Sequence, residues 1–242
     1  MPSSIEKIMD RFPFPTVDPI FGTPDYESIA DIHLKLNSDA ASVQSNLGCG
    51  TLCILFLTVL PAVYATLSKI VFVMPVNPGP KPSIPTGSTG AAISDLRYRH
   101  TEATKIFTEY ENTDKALRQI LLASTDELYV RSLRHKYIVY RKTTTQDLLD
   151  YLYATYSNIS ASALQDNYKR LQAPYDSNQP FETLIDQFEN AVDYASAGDT
   201  PYTPAQVVGA LLGSSSPCYQ QHIHRRLHCH PLQARHCPAG PC

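Results

Sequence analysis

Five prolines fall within eleven residues, at Pro75, Pro78, Pro80, Pro82 and Pro85. Proline lacks the amide donor and fixes φ, so neither a helix nor a central strand can run through such a stretch. The spacing predicts an exposed Pro/Gly-rich linker over residues 75–90. It would join two lobes, a helical segment at 25–74 and a main bundle at 91–212. Pro13, Pro15, Pro19 and Pro24 likewise predict an extended leader over residues 1–24.

Between the prolines the hydrophobic pattern is helical. Ile29, Ile32, Leu34 and Leu36, then Val43, suggest an imperfect helix that Gly48 and Gly50 would end, since glycine accepts positive φ. Ile93, Leu96, His100, Ala103, Phe107 and Tyr110 recur at three- and four-residue steps, which is one helix face. Leu117, Ile120 and Leu121 continue it past a possible break at residues 112–114. Ser124 and Glu127 match a capping box, ahead of Leu128 and Leu133. Thr144 and Ser160 mark two more starts. Phe181, Leu184, Ile185, Phe188, Ala191, Val192 and Ala195 form the cleanest stripe, closed by Gly198, and residues 204–212 suit a last short helix. Tyr137–Tyr140 is the best competing alternation. The expected class is all-α, a multi-helix bundle in two lobes.

At 43% apolar and 18% charged, the 242 residues suit a soluble globule, and a net charge of −3 excludes a chain-wide polyelectrolyte binder. The charge is uneven, however. All 23 acidic residues lie at or before Asp199, while residues 200–242 hold three Arg, five His and four Cys. The N-terminus has no apolar h-region, which implies a cytoplasmic, reducing setting with free thiols. Residues 52–67 give a membrane-anchor alternative. Its strongly apolar run ends at Leu60 and Pro61 interrupts it, as in a core segment.

Chemistry is thinly represented. Neither glycine cluster forms a phosphate-cradling loop, and no nucleophile elbow occurs, so catalysis and small-molecule cofactors are not expected. Asp147, Asp150, Glu182, Asp186 and Glu189 lie opposite the apolar stripes, where carboxylates are solvated. His33, His100 and His135 look isolated, and His100 falls on an apolar face.

Arg131, Arg134, Lys136, Arg141 and Lys142 lie within twelve residues, with Tyr129, Tyr137 and Tyr140 among them. Guanidinium groups with stacking rings suit single-stranded nucleic acid such as RNA. The plainer reading is a solvated helix end whose tyrosines face the core. In the tail, Cys229, His236, Cys237 and Cys242 are zinc-ligand types, but no C-x2-C pair is present. A disordered tail over residues 213–242, its sequence out of frame or wrongly spliced from about residue 209, explains this composition more simply than a zinc site.

One longer pattern remains. A polar helix from Leu36 to Ser45 runs into Asn46-Leu-Gly-Cys-Gly50 and an apolar block at Leu52–Leu60. Pro61-Ala-Val-Tyr-Ala-Thr-Leu67 and a Pro-rich segment to Pro80 follow. This order resembles the Gag capsid-type protein of copia-type LTR retrotransposons. The resemblance extends through residues 151–156 and 178–184 and fades near Val208. It implies a capsid-like helical protein that associates with copies of itself and catalyses nothing. The zinc knuckle that often accompanies such proteins, Cys-x2-Cys-x4-His-x4-Cys, has no match here, which leaves RNA packaging without its usual device.

Overall fold

A computed structural model describes residues 4–45, 52, 54–176 and 178–214. Among these the chain forms nine α-helices and no strand, so the protein is all-α. The one strand-like feature is an isolated antiparallel bridge between His135 and Val139, beside the alternation at Tyr137–Tyr140. Of the expected disordered tail, Gly213 and Ser214 are helical, and the remainder with its zinc-ligand set Cys229, His236, Cys237 and Cys242 lies outside the described residues.

The chain divides into two compact units, Met1–Asn158 and Ile159–Cys242. The boundary is therefore not the Pro-rich stretch, which lies inside the first unit. Helices on both sides of those prolines pack on each other, and this moves the division to residue 158.

The leader also departs from expectation. Helix α1 (Ile5–Met9) is capped by Ser4, and Ile8 and Phe12 are buried. No proline falls between Pro2 and Pro13, which leaves Ile5, Ile8, Met9 and Phe12 at helical spacing.

Helix α2 (Tyr26–Ser42) starts at a reciprocal cap between Asp25 and Ser28, and buries Ile29, Ile32, Leu36 and Ala40 along one stripe. It stops at extended Val43, ahead of Gly48 and Gly50, which lie outside the described residues. A 3-10 turn (Leu55–Leu57) and α3 (Pro61–Leu67) follow, Pro61 occupying the first turn where its missing amide costs nothing. Ile54, Leu57 and Val59 are core residues. Among the described residues no helix is long and apolar enough to cross a membrane.

Helix α4 (Gly90–Ser124) is continuous over 35 residues. The expected break at residues 112–114 does not form. Thr113 gives its hydroxyl proton to the Glu109 carbonyl (2.8 Å) and Asp114 pairs with Arg118, so polar side chains that favour turns are satisfied within the helix. The next cap is Asp126 rather than Ser124. Asp126 accepts from the Leu128 amide at the start of the short α5 (Glu127–Val130), and Ser124 donates to the Leu121 carbonyl. Leu128, expected inside, is exposed, and Val130 takes the core position.

Helix α6 (Thr145–Tyr156) starts at the anticipated Thr144, in a reciprocal cap with Asp147, and buries Leu148, Leu149 and Leu152. These residues meet α2 and the C-terminal half of α4, whose Ala116, Leu117, Ile120 and Leu121 are buried. Each fully buried leucine contributes about 1.5–3 kcal/mol.

In the second unit, α7 (Ala161–Leu171), α8 (Phe181–Ala197) and α9 (Pro204–Ser214) gather around Leu171, Leu184, Phe188 and Ala191. Buried Asn167 donates to the Ala191 carbonyl (2.8 Å) and the Tyr202 hydroxyl (3.0 Å). Gly198 caps α8 with φ −88°, so positive φ is not why glycine stands there. A Cβ would lie 2.7 Å from Leu164 Cδ2. The left-handed residue is Asp199, at φ 56°, and Thr200 donates back to the Ala195 carbonyl as in a Schellman stop.

Candidate functional site

Two surfaces of the first unit stand out, a basic hairpin and an apolar belt. The hairpin spans residues 131–143. Its neck closes by reciprocal backbone bonds between His135 and Val139 (2.9 and 3.0 Å), and His135 Nδ1 accepts from the Tyr137 amide (3.2 Å). Val139 sits at φ 52°, a left-handed conformation that costs a β-branched residue about 1–2 kcal/mol.

Beyond the neck, Arg118 on α4 donates to the Thr143 carbonyl while its guanidinium holds Asp114 (2.8 Å). Asp114 also accepts from the Thr145 amide (2.9 Å). One buried ion pair thus ties the hairpin's return and the start of α6 to α4.

The structure brings the five cations of the sequence cluster onto this hairpin. Arg131, Arg134, Lys136, Arg141 and Lys142 are all exposed. Arg134 is engaged with Glu127 (2.8 Å), and the Lys136 ammonium lies 5.3 Å from the Tyr137 ring centre. The tyrosines divide. Tyr137 is 79% exposed, whereas Tyr140 is buried with its hydroxyl directed at the Val130 carbonyl, and Tyr129 packs edge-on against Tyr156. One ring, not three, is available to stack on a base.

The belt was missed from sequence. Leu60 at the N-cap of α3 and Val63 and Leu67 within it repeat at three and four residues, all exposed. The chain then continues as a strap over residues 69–85. Phe72 anchors the strap, stacked on Phe56 (4.4 Å), edge-on to Tyr64 (5.8 Å) and beside Tyr110 of α4 (6.2 Å). Farther on, the Gly79 carbonyl meets His100 Nε2 (3.2 Å), so the strap runs back along the N-terminal half of α4. His100 is therefore a half-covered strap contact rather than a core residue.

Cover recurs every third residue, at Phe72, Pro75 and Pro78, the repeat of a polyproline II helix. The other two faces point outward with Val71 (81% exposed), Val73 (72%) and Val76 (81%), flanked by Ile70 and Met74. An apolar ridge pinned to α4 therefore stands at the start of the expected exposed linker.

Inside the first unit are two titratable side chains that sequence reading left unpartnered or unmarked. His33 Nε2 donates to the Thr58 carbonyl (2.8 Å), an atom that can only accept, so Nδ1 accepts from the Tyr153 hydroxyl (3.0 Å). Burial lowers its pKa against the pull of Thr58 and Asp150. Asp39 is fully buried. Its Oδ1 accepts from the Phe14 amide (2.8 Å), and Oδ2 has no partner among the described residues. Burial raises its pKa to about 6, against the Phe14 amide, which favours the charged form.

Among the described residues no three His, Cys, Asp or Glu side chains converge as a metal-binding group. Asp147, Asp150, Glu182, Asp186 and Glu189 are exposed, as expected of solvated faces. Comparison with protein-family models, curated proteins and solved structures returns no match.

Proposed function

We propose that this chain is a non-catalytic structural protein of the copia Gag kind that associates with copies of itself into capsid-like assemblies. The uncovered apolar belt from Leu60 to Val76 carries this reading. Monomers rarely leave so much contiguous apolar surface in water, and such patches mark interaction sites. The motif order from Leu36 to Pro80 and the all-α architecture support it. Size-exclusion chromatography with light scattering, from micromolar to millimolar protein, tests it. Mass should rise with concentration, and a constant monomer mass throughout would refute the proposal.

A second reading has its own observation: four exposed cations, with no ion pair among the described residues, share the basic hairpin with one exposed ring. Single-stranded RNA fits that mixture, the phosphates meeting Arg131, Lys136, Arg141 and Lys142 and a base lying on Tyr137. Fluorescence anisotropy with a labelled oligoribonucleotide measures it. The triple change K136A/R141A/K142A should reduce the slope of log affinity against log salt by about 2, at roughly 0.7 for each phosphate left without its cation. An unchanged slope would exclude the hairpin as the binding site.

A further inference from the structure

We infer that the belt is an isologous interface, meeting the same belt of a second copy across a two-fold axis. The inference rests on the self-association reading above and names the surface and symmetry that reading leaves open.

Area is the first support. At their exposures, Leu60, Val63, Leu67 and the five apolar strap residues leave on the order of 800 Å2 uncovered, which is what each partner contributes to a standard interface. Charge is the second. From residue 40 to residue 94 the sequence contains no acid, and Lys69 is the one cation between Leu60 and Val76. Two such belts meet with little like-charge repulsion, one Lys69 ammonium from each copy being the sole charge to keep in water. A charged partner, by contrast, would lose hydration without gaining a counter-charge.

Complementarity within this unit points the same way. Other strongly exposed apolar residues of this unit are scattered, Phe21 (91%) beside half-covered Ile20 and three residues from Asp18, Leu34 between Asp31 and Lys35, and Leu128 beside Asp126 and Glu127. A head-to-tail contact would therefore set the belt against one or two apolar side chains at a time rather than against a matching apolar surface. A belt on a belt does not, and a surface that matches itself closes a two-fold pair. The ridge is also stiff. Its prolines and the Phe72 clamp hold it extended before any partner arrives, so little order is lost on docking.

Two charge-reversed triple variants test the symmetry, V71E/V73E/V76E and V71K/V73K/V76K. All three side chains are exposed, so circular dichroism should match the unaltered protein. By light scattering and sedimentation, each variant alone should dissociate with a constant raised about tenfold or more, as when one strong apolar anchor is removed. Mixed in equal amounts, the two should pair again, and high salt should weaken that pairing. If both variants stay weak when mixed, the belt meets a different surface and the two-fold inference fails. If the variants associate as well as the unaltered chain, the belt is not the interface, while self-association stands. A monomeric unaltered chain would remove the self-association reading itself.

Discussion

Single buried polar groups decide how the first unit answers to acidity. Asp39 has a folded pKa of about 6 against an ordinary 3.8, so the fold favours its protonated form. The stability it contributes is complete below about pH 4 and is lost as pH rises through about 6, a change of up to about 3 kcal/mol. His33 acts in the opposite sense. Its lowered pKa withdraws stability as pH falls through the ordinary imidazole range. Asp39→Asn keeps an acceptor for the Phe14 amide and cannot ionise. Thermal melts from pH 4 to 8 should lose their decline between pH 4 and 6, and the variant should be the more stable above pH 6. A pH profile identical to that of the unaltered protein would show that Asp39 is not the titrating group. Neither residue was legible in the sequence. Asp39 sits among polar neighbours on α2, and the atoms that matter to it and to His33 come from Phe14, Thr58 and Tyr153, distant along the chain.

At the level of elements, starts were easier to read than stops. Thr144 and Ser160 cap helices where the sequence placed them, because a hydroxyl three residues before a free amide is a local device. Ends depend on what the chain meets. The turn-forming triplet at residues 112–114 stays helical because Arg118 and Thr145 engage Asp114, and Gly198 serves Leu164 rather than its own φ. The Asp114 cluster makes a sharp prediction. Asp114→Ala leaves the Arg118 charge buried without its carboxylate and frees the Thr145 amide, a loss of about 3–5 kcal/mol. Urea unfolding monitored by circular dichroism should show it. A loss below about 1 kcal/mol, the value of an exposed pair, would mean that solvent reaches Arg118. Their clustering within twelve residues did single out the cations of the hairpin, yet it could not tell which tyrosine faces water. That depends on Tyr140 packing beneath the loop and Tyr129 against Tyr156.

For the molecule as a whole, class was legible and organisation was not. Three- and four-residue periodicity is repeated in every long segment, so an all-α fold follows from the chain directly. The prolines of residues 75–85 do exclude helix and strand, as expected, but the segment bridges nothing between lobes. It is pinned to α4 by Phe72 and the Gly79 carbonyl, contacts that no local pattern announces. The same helix has a run of hydroxyls with a mechanical effect. Thr101, Thr104, Thr108 and Thr113 each donate to the carbonyl four residues back, competing with the amides of the ladder and loosening the rod. A bend of about 10° near Thr108 would swing the start of α4 through about 5 Å, at about 1.5 Å rise per residue. The Gly79 end of the ridge would travel with it while Phe72 stays seated. Copies joined along that ridge would then tolerate a spread of mutual tilt, and a shell built from them would not be committed to one radius.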